Sequence, residues 1–494
     1  MATHKVVCLG AGIVGGCTQV VFASKCKNHD FYVVDIDEER IKGWNNFKPN
    51  YYEPGLNKLL KTCLNKNLFF TTDFENTLKD ATLIFLSVGT PTKQRGEMKG
   101  IGTNLSYIES CCRMIAKYAK NEKVIVIEKS TVPVGTAQKI TTFLQEYNKK
   151  ETEKENEKEK ENENEKEKET EKENEKETKK KNKKKQKQIV VLSNPEFLAE
   201  GTAIKNLQHP DRVLIGGPNT EFGKYAQQQL KQLYKGWFPE EKIFFSNTWS
   251  TELSKLTSNA MLAQRVSSIN SISQICEEIG AEVTQVSKNM GSDPRIGSRF
   301  LNASVGFGGS CFEKDILNLI YLCEHFHLYV VAKYWKGVLE LNSHQKLRFA
   351  RNIADTMFQN LDNKKITILG FTFKKNTDDV RGSAAIDVCN YLLGEGAILS
   401  IYDPKAKPKH IKFSLKGYNE NQLIICDSVS SAVIDSHALV VLTEWDEFAQ
   451  IDLSQCYQKM IHPSYIFDGR NIINRKSAQE IGFNIYSVGF PKNK

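Results

Sequence analysis

Residues 5–35 read KVVCLGAGIVGGCTQVVFASKCKNHDFYVVD, and the rest of the fold is read outward from this stretch. An apolar run of strand type, 5–9, meets a glycine turn, then a segment of helical periodicity, then a second apolar run that ends on Asp35. Gly10, Ala11, Gly12, Ile13, Val14 and Gly15 form a GxGxxG. Alone that pattern is weak. Between a strand and a helix, with an acid twenty residues beyond the last glycine, it reads as a dinucleotide cradle. Gly10 makes the tight turn, Gly12 lets backbone approach a pyrophosphate, and Gly15 lets the helix close on the strand. The helix N-terminus adds N–H donors and positive potential. Asp35 is suited to accept hydrogen bonds from ribose hydroxyls and to repel a 2′-phosphate, so NAD is expected as cofactor rather than NADP. Arg40 pulls the other way, because an arginine nearby can accommodate that phosphate.

Further apolar strands are expected at 82–92, 123–133 and 188–197, with helical stretches such as 107–119 between them. Buried strands alternating with helices imply a parallel, doubly wound sheet. From about 247 to 358 the strand signal vanishes and apolar residues recur at three- and four-residue spacing, including a long helix near 330–358. Alternation returns at 364–373, 397–405, 437–445 and 465–471. The expected fold is therefore α/β: two Rossmann-like doubly wound parallel-sheet domains, 1–247 and 360–494, joined by a central helical domain, 248–359.

The chain of 494 residues carries a formal charge of +9, of which +2 lies in the segment 149–188 with its 16 Lys and 14 Glu. The mild excess left elsewhere suits anionic small molecules and forms no stripe for nucleic acid. In that segment every odd position from Glu151 to Glu177 is Glu. A period of two sets like charges at i,i+4 on a helix and leaves a strand without an apolar face, so a disordered, solvated insert is expected. Twelve cysteines without a CxxC, and nine histidines without HExxH and with one HxH (His325 and His327), argue for reduced thiols in the cytoplasm and against a metal. The first strand starts almost at once and no apolar run is long enough for a membrane helix, so neither a signal peptide nor a membrane partner is expected.

Residues 304–315, SVGFGGSCFEKD, set one thiol after three glycines. The helical pattern that follows puts Cys311 near a helix N-terminus with Lys314 close by, which favours a thiolate. The glycines are expected to let a ligand come close. Beside an NAD site, an activated cysteine suggests covalent capture of an aldehyde, whose thiohemiacetal is oxidised to a thioester and hydrolysed to an acid. An inert cysteine at a helix start is the alternative on spacing alone. In the last third, Lys374, Lys375, Arg381 and Arg470 suit a second anion or nucleotide site, against an ordinary basic edge.

GAGIVGG, EKSTVPVGT, SNPEFLAEGTA, ELSKLTSNAMLAQR, SVGFGGSCFEKD, ILGFTFKKNTDDVR and IFDGR together resemble the UDP-glucose/GDP-mannose dehydrogenase family, from the first strand to about Gly489 and excluding the insert. The resemblance implies NAD-dependent four-electron oxidation of UDP-glucose to UDP-glucuronate. Another nucleotide sugar (GDP-mannose or a UDP-N-acetylhexosamine) is one alternative, and a scaffold acting through the insert is another. It implies Cys311 as nucleophile, Lys255 and Asp315 as the pair handling protons and polarising the reacting oxygen, Glu196 as the acid for thioester hydrolysis, and Asn259 as a partner of the intermediate. Val88, Gly89, Thr90, Pro91, Thr92, Ser130, Thr131, Val132, Glu200, Lys314 and Arg381 match cofactor contacts. Phe197, Leu198, Ala199, Glu200, Asn302, Ala303, Ser304, Val305, Gly306, Phe307, Gly308, Phe373, Lys374 and Arg470 match UDP-sugar contacts. Arg295 matches a residue donated across a subunit interface, which implies a homodimer or a larger homo-oligomer up to a hexamer. Asn302 stands where animal relatives carry lysine. The domain at 1–247 would then bind NAD, 248–359 would dimerise, and 360–494 would bind the UDP-sugar.

Overall fold

The computed structural model describes residues 4–96, 98–169, 187–415 and 417–491. The chain forms two compact units, one of Met1–Asn50 with Pro54–Lys255 and one of Tyr51–Glu53 with Leu256–Lys494. The first is built on β1 (Lys5–Leu9), β2 (Asp30–Val34), β3 (Leu68–Thr71), β4 (Leu83–Leu86), β5 (Lys123–Glu128), β6 (Gln188–Ser193), β7 (Val213–Gly216) and β8 (Ile243–Ser246). Their order in the sheet is β3-β2-β1-β4-β5-β6-β7-β8. All neighbours are parallel except β6 and β7. Val7, Leu9, Ile84, Leu86, Val124 and Val126 face one buried cluster with the helix Ser106–Tyr118. Right-handed crossovers send the chain outward from β1 first to one side and then to the other, so a crevice opens at the carboxyl ends of β1 and β4. The glycine turn lies there.

The second unit holds the long helices Thr248–Ile279 (from Leu256 on), Ser310–His325 and Tyr329–Thr356. Its sheet contains β9 (Lys365–Leu369), β10 (Ile398–Tyr402), β11 (Leu423–Ile425), β12 (Ala438–Val441), β13 (Tyr465–Asp468) and β14 (Asn484–Ser487), in the order β11-β10-β9-β12-β13-β14 and wholly parallel. Ile269, Val283, Leu301, Phe349 and Ile353 from the helical stretch share one core with Ile366, Ile368, Leu399 and Val440 of the sheet. The change near residue 359 is thus a change of secondary structure inside one packed body. Buried Glu277 reinforces it: the carboxylate accepts from Arg348 Nη1 at 2.7 Å, Tyr486 Oη at 3.0 Å and Gly489 N at 2.8 Å.

One expectation is corrected. The helix that begins at Thr136 runs to Glu169, so the first half of the Lys/Glu insert is helical, not coil. The packed turns before it nucleate the helix, and extension then needs only residues of good propensity, which Glu and Lys are. The remainder of the expected disorder, 170–186, lies outside the described residues. No helix among the described residues is long and apolar enough to cross a membrane.

Candidate active site

At the carboxyl end of β1, Gly10 has φ +107° and its N–H donates to Val34 O at 2.8 Å. A Cβ at Gly15 would lie 2.1 Å from Gly10 O, so only glycine lets the helix Ile13–Lys25 start there. A Cβ at Gly12, in contrast, would meet no atom within 4 Å. Gly12 also opens the helix with no side chain capping it. Bare backbone at an uncapped, positively polarised helix end fits a pyrophosphate. Asp35, 6% exposed, accepts from Ala11 N at 2.8 Å and Asp37 N at 3.0 Å. Arg40 Nη1 reaches Asp35 Oδ2 at 2.9 Å and its Nη2 reaches Asp37 Oδ2 at 3.3 Å. The arginine is engaged by two acids, which leaves the NAD reading of Asp35 standing. The remaining cofactor candidates of this unit flank the same sheet edge: Ser130 Oγ donates to Val88 O at 2.8 Å, and Thr90 Oγ1 to Thr131 O at 2.7 Å.

Two strands further along, the loop after β6 carries Glu196. It is buried with Lys255, whose Nζ lies 3.5 Å from Glu196 Oε1, while Leu198 N donates to Oε2 at 2.8 Å. Phe197 is covered by charge: Arg212 Cζ is 4.0 Å and Lys255 Nζ 5.2 Å from its ring centre. One turn before Lys255, Glu252 takes Gly135 N at 2.6 Å and Ala137 N at 2.8 Å. It caps the helix Thr136–Glu169. Beside it lies buried Glu128; burial, then the Glu252 charge, holds that carboxyl well above the usual range.

In the second unit Cys311 occupies the first turn of the helix Ser310–His325, which Gly309 opens at φ +86°. It is the one exposed cysteine of the twelve, and no disulfide joins any of them. Cys8, Cys111 and Cys112 make the contrast, since burial pushes each thiol up to about 12. Asp315, one turn on, is fully buried and accepts from Asn259 Nδ2 at 2.6 Å.

The glycines before the thiol serve internal packing, a correction to the expectation that they clear a path for ligand. A Cβ at Gly308 would come 2.5 Å from Gly382 O, and one at Gly309 would come 2.9 Å from the Phe373 ring. Buried amides that the sequence reading did not single out hold the 302–308 loop. Asn342 donates to Phe307 O at 3.1 Å and accepts from its N at 2.9 Å; Asn270 accepts from Ser304 N at 2.8 Å, and Gln345 donates to Ser304 O at 2.9 Å. Their signal was available as polar residues on the apolar face of a helix. Arg470 reaches into this region, with Nε donating to Leu442 O at 2.7 Å and Nη2 to Phe373 O at 3.4 Å. Lys374 Nζ lies 5.5 Å from the Phe373 ring centre.

Asp403, which ends β10 as Asp35 ends β2, was also missed. It accepts from Phe371 N, Thr372 N, Lys405 N and Ala406 N at 2.7–3.0 Å. The chain uses this carboxylate itself, so the second sheet would bind an anion through basic side chains rather than a ribose through Asp403. Arg381 holds Asp379 by two bonds of 2.8 Å, and Arg295, 88% exposed, holds Asp293 at 2.6 Å. The candidates therefore divide. Most cofactor candidates, with Glu196 and Lys255, belong to the first unit; Cys311, Asp315, Asn259, most sugar candidates and the cofactor candidates Lys314 and Arg381 belong to the second. Among the described residues no group of three or more His, Cys, Asp or Glu could hold a metal.

Models of the UDP-glucose/GDP-mannose dehydrogenase family match the NAD binding domain at residues 4–238, the central domain at 249–344 and the UDP binding domain at 367–475. A UDP-glucose 6-dehydrogenase of Drosophila melanogaster is 48% identical, covering 98% of this chain and 96% of its own. UDP-glucose 6-dehydrogenase 1 of Arabidopsis thaliana is 46% identical over 99% and 97%. Among solved structures, a UDP-glucose dehydrogenase from Pyrobaculum islandicum superposes with a TM-score of 0.80 at 26% identity, over 99% of this chain and 98% of that one. Matched from first sheet to last, the chain belongs to the UDP-glucose/GDP-mannose dehydrogenase family.

Proposed function

We propose that the chain oxidises UDP-glucose to UDP-glucuronate in two steps through a covalent intermediate on Cys311. The single observation that carries this is the exposed thiol of Cys311 in the first turn of its helix, in a family whose near relatives are named UDP-glucose 6-dehydrogenases. NAD is the cofactor, and when bound it supplies the hydride acceptor for both oxidations.

The chain's own residues do the rest. Lys255 and Asp315 handle the C6 hydroxyl proton and steady the oxygen while the alcohol becomes an aldehyde. The Cys311 thiolate adds to the aldehyde carbon; an S–C bond forms, the oxygen takes up a proton, and a thiohemiacetal results. Its oxidation removes that hydroxyl proton and a hydride, leaving a thioester. Water loses a proton to Glu196 as it attacks the carbonyl, the C–S bond breaks, and the thiolate and a carboxylic acid are released, the acid then losing its proton to solvent. Asn259, which holds Asp315, supports the intermediate. Covalent retention keeps the second oxidation intramolecular.

Phe197, Leu198, Ala199, Glu200, the 302–308 loop, Phe373, Lys374 and Arg470 bind the UDP-sugar in this reading. The GxGxxG, Asp35, Arg40, residues 88–92 and 130–132, Glu200, Lys314 and Arg381 serve NAD. The matched segments support an NAD-binding segment, a central segment that we assign to dimerisation, and a UDP-sugar-binding segment, the last two packed in one body. We place the protein in the cytoplasm, on the strength of twelve thiols without a disulfide. We propose a homo-oligomer, supported by Phe326, Tyr329 and Val330, which are 58%, 64% and 84% exposed. The test is a count: limiting UDP-glucose with excess NAD gives two NADH per sugar, and one per sugar refutes the thioester route. Cys311→Ala should bind NAD yet make no UDP-glucuronate.

A further inference from the structure

Lys129 is a buried cation that the mechanism above does not use. It directly follows β5 as Asn194 follows β6, and since Glu128 pairs with Ser193 the two strands deliver both residues to one edge of the sheet. Lys129 is 3% exposed; its Nζ donates to Asn194 Oδ1 at 3.0 Å and to Tyr234 Oη at 3.3 Å. Tyr234 Oη donates to the same Asn194 oxygen at 2.9 Å, and Asn194 Nδ2 donates to Leu214 O at 2.7 Å. Two residues on is Glu196. A cavity of about 60 Å³ has Lys129, Asn194, Glu196, Arg212 and Tyr234 in its wall. Both acceptors of the ammonium are neutral, so its burial costs stability, and a methionine of similar shape would avoid that cost.

We propose that Lys129 is a positioning residue for Glu196 in hydrolysis of the thioester: it fixes the Asn194 amide that opens the 194–198 loop and adds, with Lys255, positive charge acting on the Glu196 carboxylate. The proposal rests on the role given to Glu196 above. The groups acting on Lys129 are Glu196 and Cys8, which favour its charged form, and Lys255, which opposes it, while Asp211 and Arg212 also line the cavity. Burial, the largest influence, draws Lys129 down to about 8. Hydrolysis should therefore slow as pH rises through that value, and the first oxidation, which does not use Glu196, should not share this limb.

The experiment follows one turnover of the full chain with UDP-glucose and NAD across pH about 6 to 10. Acyl-enzyme on Cys311 is quantified by mass spectrometry after acid quench. In Lys129→Met the adduct accumulates, hydrolysis falls about ten-fold or more, the limb near pH 8 disappears, and the Tm equals or exceeds that of the parent. Unchanged hydrolysis, or a retained limb with a lowered Tm, overturns the proposal and leaves Lys129 a packing residue. Should Lys129→Met not fold, Tyr234→Phe decides. Losing one acceptor must move the limb to lower pH, and an unmoved limb overturns the proposal. If the parent makes UDP-glucuronate with no adduct, the role of Cys311 fails first and this inference with it.

Discussion

Gly15→Ala and Gly12→Ala differ by one methyl placed three residues apart on the same turn, and they should fail in different ways. At Gly15 the new Cβ would sit 2.1 Å from Gly10 O, 3.0 Å from Ser87 Cβ and 3.1 Å from Cys8 Sγ. A carbon and a carbonyl oxygen settle near 3.3 Å at the closest, so the helix start must retreat by roughly 1.2 Å. The atoms in the way are backbone and buried side chains, which puts the cost at the upper end for overpacking, about 3 kcal/mol. For a unit of this size that lowers Tm by roughly 6–12 °C. The same retreat draws the helix N–H groups away from the pyrophosphate and forfeits about one charge-assisted hydrogen bond, or roughly 10–100-fold in NAD affinity. At Gly12 the Cβ meets nothing of the chain, and φ −73° suits alanine, so Tm should stay within about 2 °C. NAD binding should nonetheless fall at least as far, because the methyl fills the space the cofactor needs. Scanning fluorimetry without NAD and calorimetric titration with NAD measure the two quantities separately. A Gly12→Ala protein that binds NAD like the parent would show that the cradle is not where we place it. A Gly15→Ala protein with parental Tm would show that the clash is relieved some other way.

Removing the Asp35 carboxylate should release Arg40 from its 2.9 Å contact, so Asp35→Ser should lose NAD preference and gain NADP turnover, read from the ratio of kcat/KM values. Glu128 should make stability depend on pH. Its carboxyl is held above the ordinary 4.5, so the folded state keeps a proton that the unfolded chain releases. That stability is complete below about 4.5 and is lost as pH rises toward the folded value, by at most about 1.4 kcal/mol per pH unit. The Tm advantage of Glu128→Gln over the parent should accordingly widen between pH 5 and pH 8, and a constant difference would deny the protonated acid. Asn342→Ala removes two hydrogen bonds from Phe307 and should raise KM for UDP-glucose more than it lowers kcat, by steady-state kinetics. Replacing residues 151–186 with a short Gly/Ser linker should leave turnover and Tm near parental values; a collapse in activity with the fold intact would give the insert a catalytic role.

The glycine turn, Asp35 and the long apolar strands were legible because a strand buried on both faces needs an unbroken apolar run, and a dinucleotide turn admits few residues. Shorter strands were not. β3, β7, β8, β11 and β14 have three or four residues each and are buried only in part, so no long unbroken apolar run marks them, whereas β4 and β12, equally short, are buried throughout. The insert was misread in its first half because like charges at i,i+4 were weighed without the packed helix that precedes them.

Sequence by itself determined the chemistry on offer: a glycine-rich cradle with an acid, one cysteine at a helix start, and lysines and acids in recognisable company. Only the tertiary structure decided which of these groups act on one another. Burial and pairing depend on neighbours distant along the chain, such as Glu196 with Lys255, Asn259 with Asp315, or Asn342 with Phe307. For the same reason Lys129 reads in sequence as one more lysine. Its meaning comes from adjacent parallel strands that set its ammonium beside Asn194 and Tyr234, away from water, where a charge is costly and its influence on a nearby carboxylate is large.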